Sequence, residues 1–148
     1  MSKSPAEKSP VQLFDLLLEL LLTQAMPEER VASRLSPFAQ GARREPERFG
    51  RRYLINQGPY FTVTATFETP SFALYQFTAR LTPVAYAQIK AHAQALPLVP
   101  AARVIWKNRW LGLWPTLEVS RGDAPRPAVT ARFMGVLPGQ KFIVLTRS

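Results

Sequence analysis

The hydrophobic period of this chain changes once, from helical near the start to alternating after residue 53, and the change predicts its class. Between Val11 and Thr23 the only polar residues are Gln12, Asp15, Glu19 and Thr23, spaced three, four and four apart. A helix gathers them into one narrow polar stripe. An ordinary surface helix has the reverse pattern, so this one is expected to be buried on most sides. Ser9-Pro10-Val11-Gln12 supplies its start: Ser9 caps, Pro10 suits the first position, and Gln12 can reach back as in a capping box. Met26-Pro27 breaks the helix. Pro27-Glu28-Glu29 opens a shorter second one, with Val31 and Leu35 on its apolar side, and Ser36-Pro37 ends or kinks it.

From Tyr60 to Glu68 the pattern alternates cleanly. Phe61, Val63, Ala65 and Phe67 share one face, and Thr62, Thr64 and Thr66 the other, as in a half-buried strand. Residues 72–81 form a second strand, with Ala73, Tyr75, Phe77, Ala79 and Leu81 on one face and Leu74, Gln76, Thr78 and Arg80 on the other. Tyr53-Leu54-Ile55 suits a further short strand. Thr82-Pro83 opens a helix with Ala85, Ile89, His92 and Leu96 on one side. Strands are then expected over 103–107, 110–119, 128–136 and 141–146. Pro115 demotes the middle of the second to an edge or bulge, and Leu137-Pro138-Gly139-Gln140 joins the last two.

The order predicts an α+β fold: an N-terminal helical pair followed by a mainly antiparallel sheet or a small OB-like barrel with one inserted helix. A polar tail covers residues 1–8, the helices and a basic connector 9–52, and a basic β-rich region 53–148, all within one globular domain of 148 residues. No internal repeat is visible.

Charge is divided unevenly. Residues 1–47 carry six Lys/Arg and seven Asp/Glu; residues 48–148 carry thirteen Lys/Arg against Glu68, Glu118 and Asp123. The formal +9 thus belongs almost wholly to the second part. Such a skew suggests a polyanionic partner, nucleic acid first and an anionic membrane or acidic protein second. The longest apolar run, Val11 to Leu22, has twelve residues where a span needs about twenty, so no membrane span is expected. There is no cysteine, which removes disulfides and thiolate chemistry and fits a cytoplasmic protein.

Catalytic chemistry finds little support. The one histidine, His92, sits on the apolar side of a helix, where packing explains it. No His/acid cluster has metal-ligand spacing, the glycines are scattered, and no serine lies in an elbow motif. Glu68 and Glu118 are paired carboxylates only if the sheet brings them together. No enzyme activity and no cofactor are expected.

The segment 103–114 holds all three tryptophans, Trp106, Trp110 and Trp114, interleaved with Arg103, Lys107 and Arg109. Cations for the backbone and aromatic faces for the bases are how single strands are held. Core packing of large rings is the competing explanation. Arg132 can extend such a surface, and Arg48, Arg51 and Arg52 in the connector suit a flexible clamp on phosphates. No helix is strongly basic, which argues against major-groove reading.

The expected function is therefore a non-enzymatic nucleic-acid-binding accessory factor for single-stranded DNA or RNA. Its binding residues are Arg48, Arg51, Arg52, Arg103, Trp106, Lys107, Arg109, Trp110 and Arg132. The alternative is a structural or adaptor subunit of a larger assembly. In it Leu13, Leu16, Leu17, Leu20 and Leu21 form an interface with a second copy or another protein.

Overall fold

Helix α1 (Pro10–Leu22) begins where its cap predicts. The Ser9 hydroxyl accepts from the Gln12 N–H at 3.2 Å, and the Gln12 side chain accepts from the Ser9 N–H at 2.9 Å, a complete capping box. Chain placement comes from a computed structural model, which describes residues 9–23, 26–69, 71–95, 102–109, 114–121, 126–135 and 139–147. The polar stripe Gln12, Asp15, Glu19 and Thr23 is exposed, as expected. The apolar remainder of the helix, from Leu13 to Leu21, is buried. Helix α2 (Glu28–Leu35) buries Val31 and Leu35, and α3 (Pro83–Gln94) is capped by the Thr82 hydroxyl, which accepts from the Ala85 N–H at 3.3 Å.

The strands are β1 (Gly41–Arg48), β2 (Arg51–Gln57), β3 (Phe61–Glu68), β4 (Ala73–Leu81), β5 (Ala102–Arg109), β6 (Trp114–Arg121), β7 (Val129–Met134) and β8 (Lys141–Arg147). They form one eight-stranded sheet in the order β1-β2-β3-β4-β8-β7-β6-β5, with every neighbouring pair antiparallel. The order mirrors itself about the β4/β8 seam. Each half is a helical segment followed by a four-stranded meander, a topological repeat that the sequence does not display. The sheet is open, with β1 and β5 at its edges, so the barrel alternative does not hold.

All three helices pack on one face. Phe61, Val63, Ala65 and Phe67 of β3, Phe77 and Ala79 of β4, Ile143 and Leu145 of β8, and Phe133 of β7 form one core with the buried side chains of the helices, and α1 and α3 pack chiefly on β4 and β8. Helix α3 and the central strands β4, β8 and β7 together cover the wide apolar face of α1. Leu13, Leu16, Leu17, Leu20 and Leu21 are 0–7% exposed, so the residues expected at an intermolecular interface are the core of this chain.

Two further expectations fail for local reasons. Alternation predicts Leu74 on the face opposite Phe77, yet Leu74 is fully buried in the core. The β3/β4 register shifts between Thr66 and Phe67, so that Gln76 faces Thr66 and Leu74 faces Phe67. Tyr75 is the extra residue of a bulge, and it returns Leu74 to the inner face. The basic connector is the second case. Residues 41–48 are strand β1, and the boundary expected at residue 52 falls inside β2. Pro46, which has no amide proton to donate, sits where the β1/β2 register shifts between Glu45 and Arg48.

Candidate functional site

The second face of the sheet carries no described helix. Register alone places one row of residues across all eight strands: Arg43, Ile55, Thr64, Thr78, Val144, Arg132, Thr116 and Lys107. Seven strand spacings make this row about 34 Å long. A parallel row runs Glu45, Tyr53, Thr66, Gln76, Thr146, Thr130, Glu118 and Ile105. A third begins Gln57, Thr62, Arg80, Phe142 and Met134. The face is therefore rich in hydroxyls, with side-chain amides and a few apolar groups among them. The Gln76 amide donates to Thr78 Oγ1 at 3.5 Å, and Thr146 Oγ1 donates to Gln76 Oε1 at 3.3 Å.

Charge on this face is not balanced pair by pair. Lys107 reaches Glu118 at 3.1 Å, and Arg43 lies 3.9 Å from Glu45. Arg80 and Arg132 are exposed and have no acidic partner among the described residues. They flank β8 on either side, one pairing with Phe142 and the other with Val144. Phe142 alternates with the buried Ile143 and so belongs to the open face. Arg80 thus stands directly beside a half-buried aromatic ring, and Arg132 lies on the other side of the same strand, two residues along.

At a corner of the sheet, β1 and β2 end in a two-residue turn, Phe49-Gly50, closed by the Arg48/Arg51 pair. Both turn residues have positive φ, 53° and 73°, as a type I′ hairpin requires. Phe49 is 99% exposed. The turn is held from behind. Thr69 N–H donates to the Gly50 carbonyl at 3.0 Å, and a Cβ on Gly50 would come within 2.8 Å of Thr69 Oγ1. The Arg51 guanidinium lies 5.7 Å from the Tyr75 ring centroid and 3.4 Å from Glu68. Tyr75, ahead of Glu68, raises the Arg51 pKa above its ordinary value. The Arg52 guanidinium stands 3.9 Å over the Phe72 ring and 3.7 Å from Glu47. Arg48 has no acidic partner among the described residues.

The expected binding residues do not form one patch. Trp106 and Lys107 are adjacent in a strand and point to opposite faces. Trp106 packs against the core with its ring 5.1 Å from Phe133, so it does not share a face with the cation beside it. Lys107 and Arg132 do share a face and a row, two strand spacings apart with Thr116 of β6 between them. The backbones of Arg103 and Arg109 lie in β5, opposite Ser120 and Trp114; their side chains, and the whole of Trp110, fall outside the described residues. Arg48, Arg51 and Arg52 form a braced hairpin end instead of a flexible arm, and they stand at the far side of the sheet from β5.

Other candidates resolve as structure. His92 Nε2 lies 2.8 Å from Asp15 and its ring stands edge-on to Phe14, which couples α3 to α1. Glu68 in β3 and Glu118 in β6 are four strand spacings apart, about 19 Å, and do not meet. No three His, Asp or Glu among the described residues gather as metal ligands. Sequence reasoning missed Phe49 and Arg80. An Asn-Gly or Asp-Gly pair would have marked the turn; Phe49-Gly50 between two arginines does not. No protein-family model matches the chain, and neither a curated protein nor a solved structure is similar to it.

Proposed function

We propose that the protein is a non-enzymatic nucleic-acid-binding factor that takes a single strand on the open face of its sheet. Arg80 and Arg132 would neutralise phosphates on either side of β8, with Lys107 and Arg43 extending the path along the long row. Phe142 between them would offer a ring to a base, the part first assigned to Trp106. Hydroxyls of the half-buried Thr78 and Thr130 supply uncharged donors and acceptors for sugar and phosphate oxygens.

The observation that carries this reading is the pair Arg80 and Arg132. They are exposed on a sheet face without a described helix, and they have no acidic partner among the described residues. The charge skew of residues 48–148 agrees with it. No described helix is long and apolar enough to cross a membrane.

The test is anisotropy of labelled single-stranded DNA and RNA over a salt series, with wild type and an Arg80→Glu/Arg132→Glu variant. Each phosphate neutralised on a single strand contributes about −0.7 to the slope of log K against log salt. The double variant is expected to lower the magnitude of the slope by about 1.4. No binding by wild type at low salt, or an unchanged slope in the variant, overturns the reading.

A further inference from the structure

We infer that Phe49 is a base-stacking tip: the β1–β2 hairpin presents its ring to an unpaired base of the bound strand while Arg48 meets the adjoining phosphate. The inference rests on the nucleic-acid reading above and adds a second contact, at a corner of the sheet away from Phe142.

A single exposed apolar residue needs no explanation by itself. Three further observations set Phe49 apart. Its backbone is in the left-handed region, at φ 53°, where a bulky L-residue is uncommon and Asn, Asp or Gly are at ease. Nothing in the fold compensates, because a ring at 99% exposure has almost no intramolecular contact. A residue that is strained and yet unsupported by packing is a candidate for function.

The second observation is rigidity. The turn is tied to the β3–β4 connection through the Thr69–Gly50 hydrogen bond, and the strands behind it are held by the β1/β2 and β2/β3 ladders, with the Arg51–Glu68 and Arg52–Glu47 pairs across them. A ring held on such a base loses little freedom when it stacks. The third observation is charge. Arg48, directly before Phe49 in the chain, lacks an acidic partner among the described residues, whereas Arg51 and Arg52 are engaged by Glu68 and Glu47. A cation beside an aromatic face suits a base with its phosphate.

The experiment compares a thymidine oligonucleotide with an abasic one of equal length and charge, using wild type, Phe49→Ala and Phe49→Trp. Loss of one stacked base corresponds to about 5- to 150-fold in affinity. Phe49→Ala is expected to weaken binding to the thymidine strand within that range and leave the abasic strand unaffected. Phe49→Trp is expected to bind as wild type does. Equal affinity of wild type and Phe49→Ala for both strands overturns the inference and leaves the sheet-face reading standing. Equal loss on both strands also overturns it, since the contact would then be to the backbone. Absence of binding by wild type removes both. If Phe49→Ala binds oligonucleotides normally but loses binding to phosphatidylserine vesicles, the hairpin is a membrane contact and the inference is wrong.

Discussion

Nε of Arg147 donates to the carbonyl of Leu21 at 2.9 Å, which ties the last strand to the end of the first helix across 126 positions of sequence. Nη2 of the same guanidinium reaches the Thr23 carbonyl at 2.5 Å and that of Leu20 at 3.5 Å. Helix α1 has no basic residue in its own last turn. Arg147 therefore supplies both the missing donors and the positive charge that a helix C-terminus favours. Arg147→Met is expected to cost about 2 kcal/mol, since hydrogen bonds to a charged donor are lost and carbonyls are left without partners. Arg147→Lys should recover only part, having no planar fork. Urea unfolding of the two variants checks this, and indistinguishable midpoints for wild type and Arg147→Met would count against it.

The leucines of α1 act as core. Leu17→Ala and Leu20→Ala should each destabilise by about 3 kcal/mol through lost burial and the cavity left behind. The loss should be independent of protein concentration. A melting temperature that falls on dilution, more steeply in the variants, would instead place these side chains at a contact between copies.

The strain at Phe49 predicts a trade between stability and binding. Asn tolerates the left-handed region, so Phe49→Asn should gain about 1 kcal/mol, or about 2–4 °C in Tm, while weakening oligonucleotide binding. Gly50→Ala should do the opposite to stability. It adds a side chain at φ 73° and brings a Cβ within 2.8 Å of Thr69 Oγ1. Thermal melts of both variants decide the matter; a destabilised Phe49→Asn would mean the turn is not strained.

Burial pushes the Tyr60 hydroxyl up to about 12 from an ordinary value of 10. Below pH 10 the folded and unfolded chains both hold this proton. Between pH 10 and 12 the unfolded chain has released it and the folded chain has not, so stability falls as pH rises through that window. Tyr86 is raised in the same direction by burial. Tyr60→Phe should flatten part of the alkaline slope in stability measured between pH 9 and about 11.5. A slope identical to that of wild type would show that Tyr60 ionises alike in both states.

The elements most legible in the sequence are those specified by neighbours in the chain. Ser9, Pro10 and Gln12 define the start of α1 through bonds three residues long, and Thr82 does the same for α3. The stripe Gln12, Asp15, Glu19 and Thr23 predicts which side of α1 meets water. Phe61, Val63, Ala65 and Phe67 predict the inner face of β3 because alternation is a property of a single strand. Strand β1 is not legible, since Gly41–Arg48 is exposed almost throughout and has no period to read. It exists because β2 offers it a partner.

The antiparallel α+β class, the caps of α1 and α3, and the excess of positive charge were determined by the sequence alone, because each depends on residues close together or on a sum over the chain. Which strands are neighbours was decided only by the tertiary structure. That choice sends Trp106 to the core and Lys107 to the row of Arg132, separates Glu68 from Glu118, and makes Arg147 the cap of a helix it follows by more than a hundred residues. It also brings β4, β8 and β7 together with α3 around α1, which buries its leucines. Faces, partners and covered area are properties of the assembled sheet, and the hydrophobic pattern of one segment does not contain them.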